Sequence, residues 1–273
     1  MRILHPTDFS RTAEHARVLA IDLAARSHAT LHLVHVQERF ETDTARRYAP
    51  VQSERINAEL QRRAEEERAG ETRLLRERLA NLAAPPATSE LVWGHTLREL
   101  LRLAGEHDLV VMGAHGANPF DEAFLGGVAG RLVRRSPTPI LTVRETCTTT
   151  QVRRLLVATD FGEAALAAWT YAGHLAQRAD LELVLAHVDT EHRTDARVPG
   201  ERLEALSAGR AERCVVRAGH PVDVLPALAD EVGADAIVVG LKRHGAIAGL
   251  LLGARADALL RSSRVPILSV PAT

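Results

Sequence analysis

Apolar residues along the chain fall into two kinds of run, and the two kinds alternate. Compact apolar runs at residues 2–6, 31–36, 109–112 and 140–143 have the length of buried strands. Between them, apolar residues recur at the spacing of helices with one buried face. The first helix follows a turn with Asp8 and Ser10, is rich in alanine, and runs to about Arg26. From Ser53 to Leu82 the chain is long and charged, with Ile56, Leu60, Ala64, Leu75, Leu79 and Leu82 at roughly helical spacing. The Arg and Glu residues among them read as a solvated face with i,i+4 pairs rather than as a binding patch. After Pro85 and Pro86 come a strand ending at Trp93, a helix from about Thr96, the strand from Leu109, a glycine-rich loop, a helix near Val128 to Arg135, and a last strand at Ile140 to Val143. Strands alternating with helices predict an α/β fold, a parallel sheet wrapped on both faces, with ligands at the carboxyl ends of the strands. Asp8, Val36 and Gly113 stand at such ends, so one crevice is expected to hold all three.

The whole pattern occurs twice. Asp8 pairs with Asp160 and His35 with His187 at an offset of 152, whereas Gly94 pairs with Gly219 at 125, and Asp108 with Asp235, Gly126 with Gly253 and Pro139 with Pro266 at 127. The second copy therefore lacks about 27 residues between its second and third strands, in the helical region where repeats tolerate deletion best. Its strands are expected near 154–158, 182–188, 213–217, 236–239 and 266–270. The threonine-rich stretch from Glu145 to Gln151 is the natural linker, which gives domains 1–145 and 152–273. Two domains also suit a chain of 273 residues, each half being long enough to bury a core.

Composition removes several classes of function. Aromatic residues make up only 3% of the chain and the net charge is −1, so neither base stacking nor an electrostatic footprint points to nucleic acid. Met1 to Pro6 runs straight into a strand without a long apolar stretch, which predicts a cytoplasmic protein with no membrane contact. Cys147 and Cys214 have neither disulfide-framework nor metal-site spacing. Among the 13 histidines, His35 and His187 recur inside apolar runs and read as structural, while His32, three residues from His35, faces the other side of the strand. His95 and His220 each follow a glycine at a helix start, where an imidazole caps the helix or meets a ligand. No metal site is expected.

The candidate chemistry lies in the glycine loops. Copy one reads Val111-Met112-Gly113-Ala114-His115-Gly116 and resumes at Gly126-Gly127-Val128; copy two reads Val239-Gly240-Leu241-Lys242-Arg243 and resumes at Gly253-Ala254. Such a loop between strand and helix offers backbone N–H groups to phosphates, although glycines also serve turns and helix packing. There is no Gly-x-Ser-x-Gly elbow, no complete Walker loop and no distinctive nucleophile pair.

Pro6-Thr7-Asp8-Phe9-Ser10, Leu33-Val34-His35-Val36, Asp108 to Gly113 with its spaced glycines, and Pro137 to Val143 together resemble the universal stress protein family, and Thr159-Asp160-Phe161, Ala186-His187-Val188 and Val265 to Val270 repeat the likeness. The resemblance covers essentially the whole chain as a tandem. It implies two Rossmann-like, flavodoxin-like domains, each with a five-stranded parallel sheet in the order 3-2-1-4-5 flanked by helices. It also implies a stress-response protein of regulatory or protective kind. Family members either bind ATP or do not, and the binders carry Gly-x-x-Gly, nine residues, then Gly followed by Ser or Thr. Copy one keeps Gly113, Gly116 and Gly126 but has Gly127 in place of the hydroxyl; copy two has Arg243 and Ala254 at the corresponding positions. Carried over by position, Pro6, Thr7, Asp8 and Val36 would surround adenine and ribose, and Met112, Gly113, His115, Gly116, Gly126, Gly127 and Val128 the phosphates. Asp8 has a structural alternative as a turn or helix N-cap residue. Asp121 and Glu122 lie inside the nine-residue stretch, where they either repel a triphosphate or hold Mg with it.

Three functions stay open: ATP or another adenine nucleotide bound in domain 1, slow ATP hydrolysis or nucleotide transfer through Asp121, Glu122 or His115, and a protein-interaction module without nucleotide. The family's habit of pairing through the last strand implies an intramolecular pseudo-dimer joined at Ile140–Val143 and Ile267–Val270, with a homodimer as a further possibility.

Overall fold

A computed structural model describes residues 1–38, 54–83, 86–115, 127–190, 197–242 and 254–272. Copy one contributes β1 (Arg2–Pro6), α1 (Arg11–Ser27), β2 (Thr30–Gln37), α2 (Glu54–Leu82), β3 (Thr88–Trp93), α3 (Thr96–Ala104), β4 (Leu109–Gly113), α4 (Gly127–Arg135) and β5 (Ile140–Val143). Copy two contributes β6 (Arg154–Ala158), α5 (Glu163–Ala179), β7 (Glu182–Asp189), α6 (Arg197–Ser207), β8 (Arg213–Ala218), α7 (Pro221–Val232), β9 (Ala236–Leu241), α8 (Ala254–Ser262) and β10 (Ile267–Pro271). The deletion in copy two falls where α2 stands in copy one, so α6 is the shorter helix.

All ten strands form one sheet in the order β3-β2-β1-β4-β5-β10-β9-β6-β7-β8. Each copy is parallel within itself, in the order 3-2-1-4-5. The copies meet at an antiparallel seam, with Ile267 opposite Thr142, Leu268 opposite Leu141 and Ser269 opposite Ile140. The seam gives two last strands, otherwise sheet edges, a partner for their backbone groups. It also makes the core continuous. On one face Ile3, Leu19, Leu33 and Val143 join Leu268, Val157 and Trp169 in a single cluster, and on the other Leu4, Leu132 and Ile140 join Ile267, Ile237 and Leu228.

Polar contacts clamp the same junction. The Arg26 guanidinium donates to the Ala179 and Asp180 carbonyls at 3.1 and 2.6 Å, meeting the carbonyls that the end of α5 leaves open. Tyr171 donates its hydroxyl to the Asp108 carbonyl at 3.0 Å, and the Asp22 carboxylate accepts the Val152 N–H at 3.1 Å. Burial pushes the Tyr171 hydroxyl pKa above its ordinary value.

Helix α2 behaves as its charge pattern predicts. Its described residues from Arg62 to Ala69 are exposed, while Leu79 is buried under the sheet and Arg73 and Glu77 approach to 3.9 Å at i,i+4. Among the described residues no helix is long and apolar enough to cross a membrane.

Candidate functional site

At the carboxyl ends of β1, β2 and β4 the sheet opens into a cleft of about 350 Å³ roofed by α3 and α4. Nine of the residues expected there line it: Pro6, Thr7, Asp8, Val36, Met112, Gly113, His115, Gly127 and Val128. Gly116 and Gly126 lie outside the described residues, as do Asp121 and Glu122.

The turn that carries Asp8 is built from its own side chains. Thr7 accepts the Phe9 N–H on its hydroxyl at 3.0 Å, and Asp8 accepts the Ser10 N–H on Oδ1 at 3.0 Å, closing an Asx-type turn. Of the two structural roles open to Asp8, the turn is therefore the one found. The α1 N-cap is Ser10, whose hydroxyl accepts the Ala13 N–H at 3.2 Å. These bonds hold Phe9 at φ 63°, a left-handed conformation that a bulky residue adopts only under constraint. The Phe9 ring lies 4.8 Å from the His35 ring, and the Arg78 guanidinium sits 4.1 Å over its centroid. His35 Nδ1–H donates to the Thr7 carbonyl at 2.8 Å, which makes this histidine a strut beneath the turn.

Gly113 serves packing as well as the cleft. A Cβ at this position would stand 3.0 Å from Thr12 C and Cβ and from Ala13 N, because α1 starts hard against the end of β4. His95 is the α3 N-cap residue but its imidazole makes no capping bond. The Glu38 carboxylate takes that role, accepting the Thr96 N–H and hydroxyl at 3.2 and 2.9 Å, and those two bonds hold its pKa below the ordinary value. His220 likewise makes no side-chain cap for α7.

Copy two repeats the turn almost atom for atom. Thr159 accepts the Phe161 N–H at 2.9 Å, Asp160 accepts the Gly162 N–H at 2.8 Å, Phe161 has φ 61°, and Arg202 lies over its ring as Arg78 does over Phe9. His187 donates to the Thr159 carbonyl at 2.8 Å. The cleft above is smaller, about 220 Å³. It contains a cation of its own: Lys242, at the place of His115, donates from Nζ to Asp160 Oδ2 at 3.1 Å. Partial burial works against the Asp160 carboxylate, but the Gly162 N–H and the Lys242 ammonium outweigh it and keep its pKa below the ordinary value.

The model of the Universal stress protein family matches residues 1–144 and again residues 151–271. The chain belongs to the universal stress protein family. It carries two such domains in tandem. A universal stress protein of Mycobacterium tuberculosis is 26% identical over 201 residues, covering 66% of this chain and 67% of that protein. A shorter universal stress protein of Methanocaldococcus jannaschii is 27% identical over 154 residues, covering 52% of this chain and 94% of that one. Among solved structures, a universal stress protein from Archaeoglobus fulgidus superposes with a TM-score of 0.72 at 21% identity, over 100% of this chain and 98% of that chain. A universal stress protein from Pseudomonas aeruginosa gives 0.59 at 20%, over 99% and 92%. At these identities the likeness is one of fold.

Within this universal stress protein the cleft of copy one also takes residues outside the glycine loop and the strand ends, above all Thr96, Leu100 and Arg131. Arg131 stands one helical turn after Gly127 in α4 and donates from Nε to the Gly127 carbonyl at 2.6 Å. The signal was present: Arg131 stands at i+4 from the glycine that opens the helix, with Ala258 at its place in copy two.

Proposed function

We propose that the cleft of copy one binds an adenine nucleotide, and that the protein acts in the stress response as a nucleotide-responsive regulatory or protective protein. The observation that carries this reading is the convergence, in one cleft, of three complementary surfaces. Val34, Val36, Leu100 and Met112 supply an apolar strip suited to a purine, Thr7 and Asp8 supply acceptors suited to ribose hydroxyls, and Arg131 with the first turn of α4 supplies positive charge suited to phosphate. A cavity of about 350 Å³ lies within the range of small-ligand sites. The donor set therefore fits the ligand. Arg131 gives the phosphates a charged partner in a copy whose motif lacks the usual hydroxyl.

Copy two is better suited to a structural or interaction role, since its cleft is smaller and Asp160 is engaged by Lys242. Among the described residues a side chain at position 127 has room, because a Cβ there meets only Arg131 Nη2, at 3.5 Å.

Calorimetry with ATP, ADP and AMP at millimolar concentration tests the reading directly. Asp8→Asn keeps the turn acceptor and removes the charge, and is expected to weaken binding about tenfold. Arg131→Ala is expected to weaken ATP far more than adenosine. Gly127→Ser is expected to tighten ATP by about tenfold through a restored hydroxyl bond to phosphate. Failure of all three nucleotides to bind would leave the protein-interaction role standing alone.

A further inference from the structure

Three histidines of copy one, one buried and two half-buried, stand where copy two has apolar residues. His5 in β1 corresponds to Val157, His32 in β2 to Val184, and His107, in the turn before β4, to Ala234. The same fold is thus built without them in the other half.

His5 is fully buried. Its Nδ1 lies 2.8 Å from the Val111 carbonyl, so that nitrogen carries the proton, and its Nε2 has no hydrogen-bond partner among the described residues. A second proton would therefore sit in the interior without an acceptor. The charged groups around it come from α1, Glu14 and Arg17, and from the β1–α1 turn, Asp8. Glu14 and Arg17 are bound to each other at 2.8 Å. The His5 bond also replaces part of the strand ladder. The β1–β4 register ends at Leu4 and Val110, whereas β6–β9 runs one pair further to Val157 and Val238.

His32 and His107 form the second element. His107 Nδ1 donates to the Leu103 carbonyl at 2.7 Å, leaving its Nε2 to accept from His32 Nδ1 at 3.2 Å. This ring-to-ring bond joins β2 to the turn before β4. One added proton has a place on His32 Nε2, toward Glu90, with the ring-to-ring bond kept; a second, on His107 Nε2, would set two N–H groups face to face on adjacent cations. Glu90 of β3 stands 3.3 Å from His32 Nε2, and Glu106 is the other nearby acid. Burial, then the His107 charge, holds the His32 pKa below the ordinary histidine value against the pull of these two carboxylates.

We propose that copy one is an acid-responsive half of the molecule, in which protonation of His5 and of the His32–His107 pair loosens β1, β2 and β4 while copy two stays closed. The direction follows from the geometry, because His5 Nδ1 has a place for its present proton while Nε2 has none for one more, and because full protonation of the pair sets two N–H groups against each other.

Hydrogen exchange followed by mass spectrometry on the full chain tests this. Between about pH 7 and about pH 5, after correction for intrinsic exchange, β1, β2 and β4 are expected to lose protection about tenfold more than β6, β7 and β9. The triple variant His5→Val, His32→Val, His107→Ala, which installs the residues of copy two, is expected to abolish the difference. Equal loss in both halves of the parent protein, or a difference that persists in the triple variant, overturns the proposal. Ring-proton NMR of the parent chain decides independently if the variant does not fold. Titration of His5 and His32 below the ordinary histidine range supports the proposal, and titration within that range refutes it.

Discussion

Replacing Gly240 by alanine is expected to cost the protein about 3 kcal/mol of stability, the upper part of the range for overpacking a close contact. A Cβ there would lie 2.1 Å from the Ala164 carbonyl oxygen, 2.3 Å from its carbon and 2.7 Å from Ala165 N. These are backbone atoms of the first turn of α5, so no side chain can swing aside and either β9 or the whole helix must move. Gly113→Ala makes the same contact more loosely, at 3.0 Å from its nearest atoms, and is expected to cost about 1 kcal/mol. Urea unfolding of both variants measures the contrast. Equal and small losses would mean that the two strand ends are not held against their helices as described. Both glycines belong to loops read from sequence as phosphate cradles, yet this contact would demand glycine at both positions with no ligand present. Retention of Gly240 in copy two, beside Lys242 in its cleft, has a packing reason.

Stability is also expected to depend on acid through His5. Burial drives its pKa down from 6.5 to about 4, with Arg17 acting in the same direction and the Val111 carbonyl opposing them. The unfolded chain therefore binds more protons than the folded one between these values. The stability contributed by keeping the imidazole neutral is complete above pH 6.5, is lost as the pH falls toward 4, and amounts to about 3 kcal/mol. His5→Val should remove this slope. Near neutral pH the variant should lie within about 1 kcal/mol of the parent, since it loses one hydrogen bond and gains apolar burial. Urea unfolding at a series of pH values checks this by difference, which cancels the titration of all other groups. Parallel profiles for the two proteins would refute it.

Much of the architecture was legible along the chain because strand and helix periodicities are local and because every signal occurs twice. The strand from Arg2 to Pro6, the helix starting after Ser10 and the closing strand Ile140–Val143 all stand where their apolar pattern placed them. So does the crevice, which opens at the carboxyl ends of the parallel strands. What the pattern misjudged were side-chain partners. His95 stands at a helix start but Glu38, 57 residues earlier in the chain, makes the cap. Arg131 lines the cleft only because α4 turns that face toward the ends of β1 and β4.

The duplication, the alternation of strands and helices, the shortened second copy and the two glycine loops can all be read from the order of residues alone, because each is written in spacing between near neighbours or in a repeat that can be aligned. The tertiary structure decided what those loops touch: Gly113 and Gly240 against the helices α1 and α5, Lys242 against Asp160, His5 beneath Val111, and β5 against β10 in antiparallel register. These contacts join residues about a hundred positions apart across sheet crossovers. No local pattern encodes such pairs, and only packing of the whole chain brings them within reach of one another.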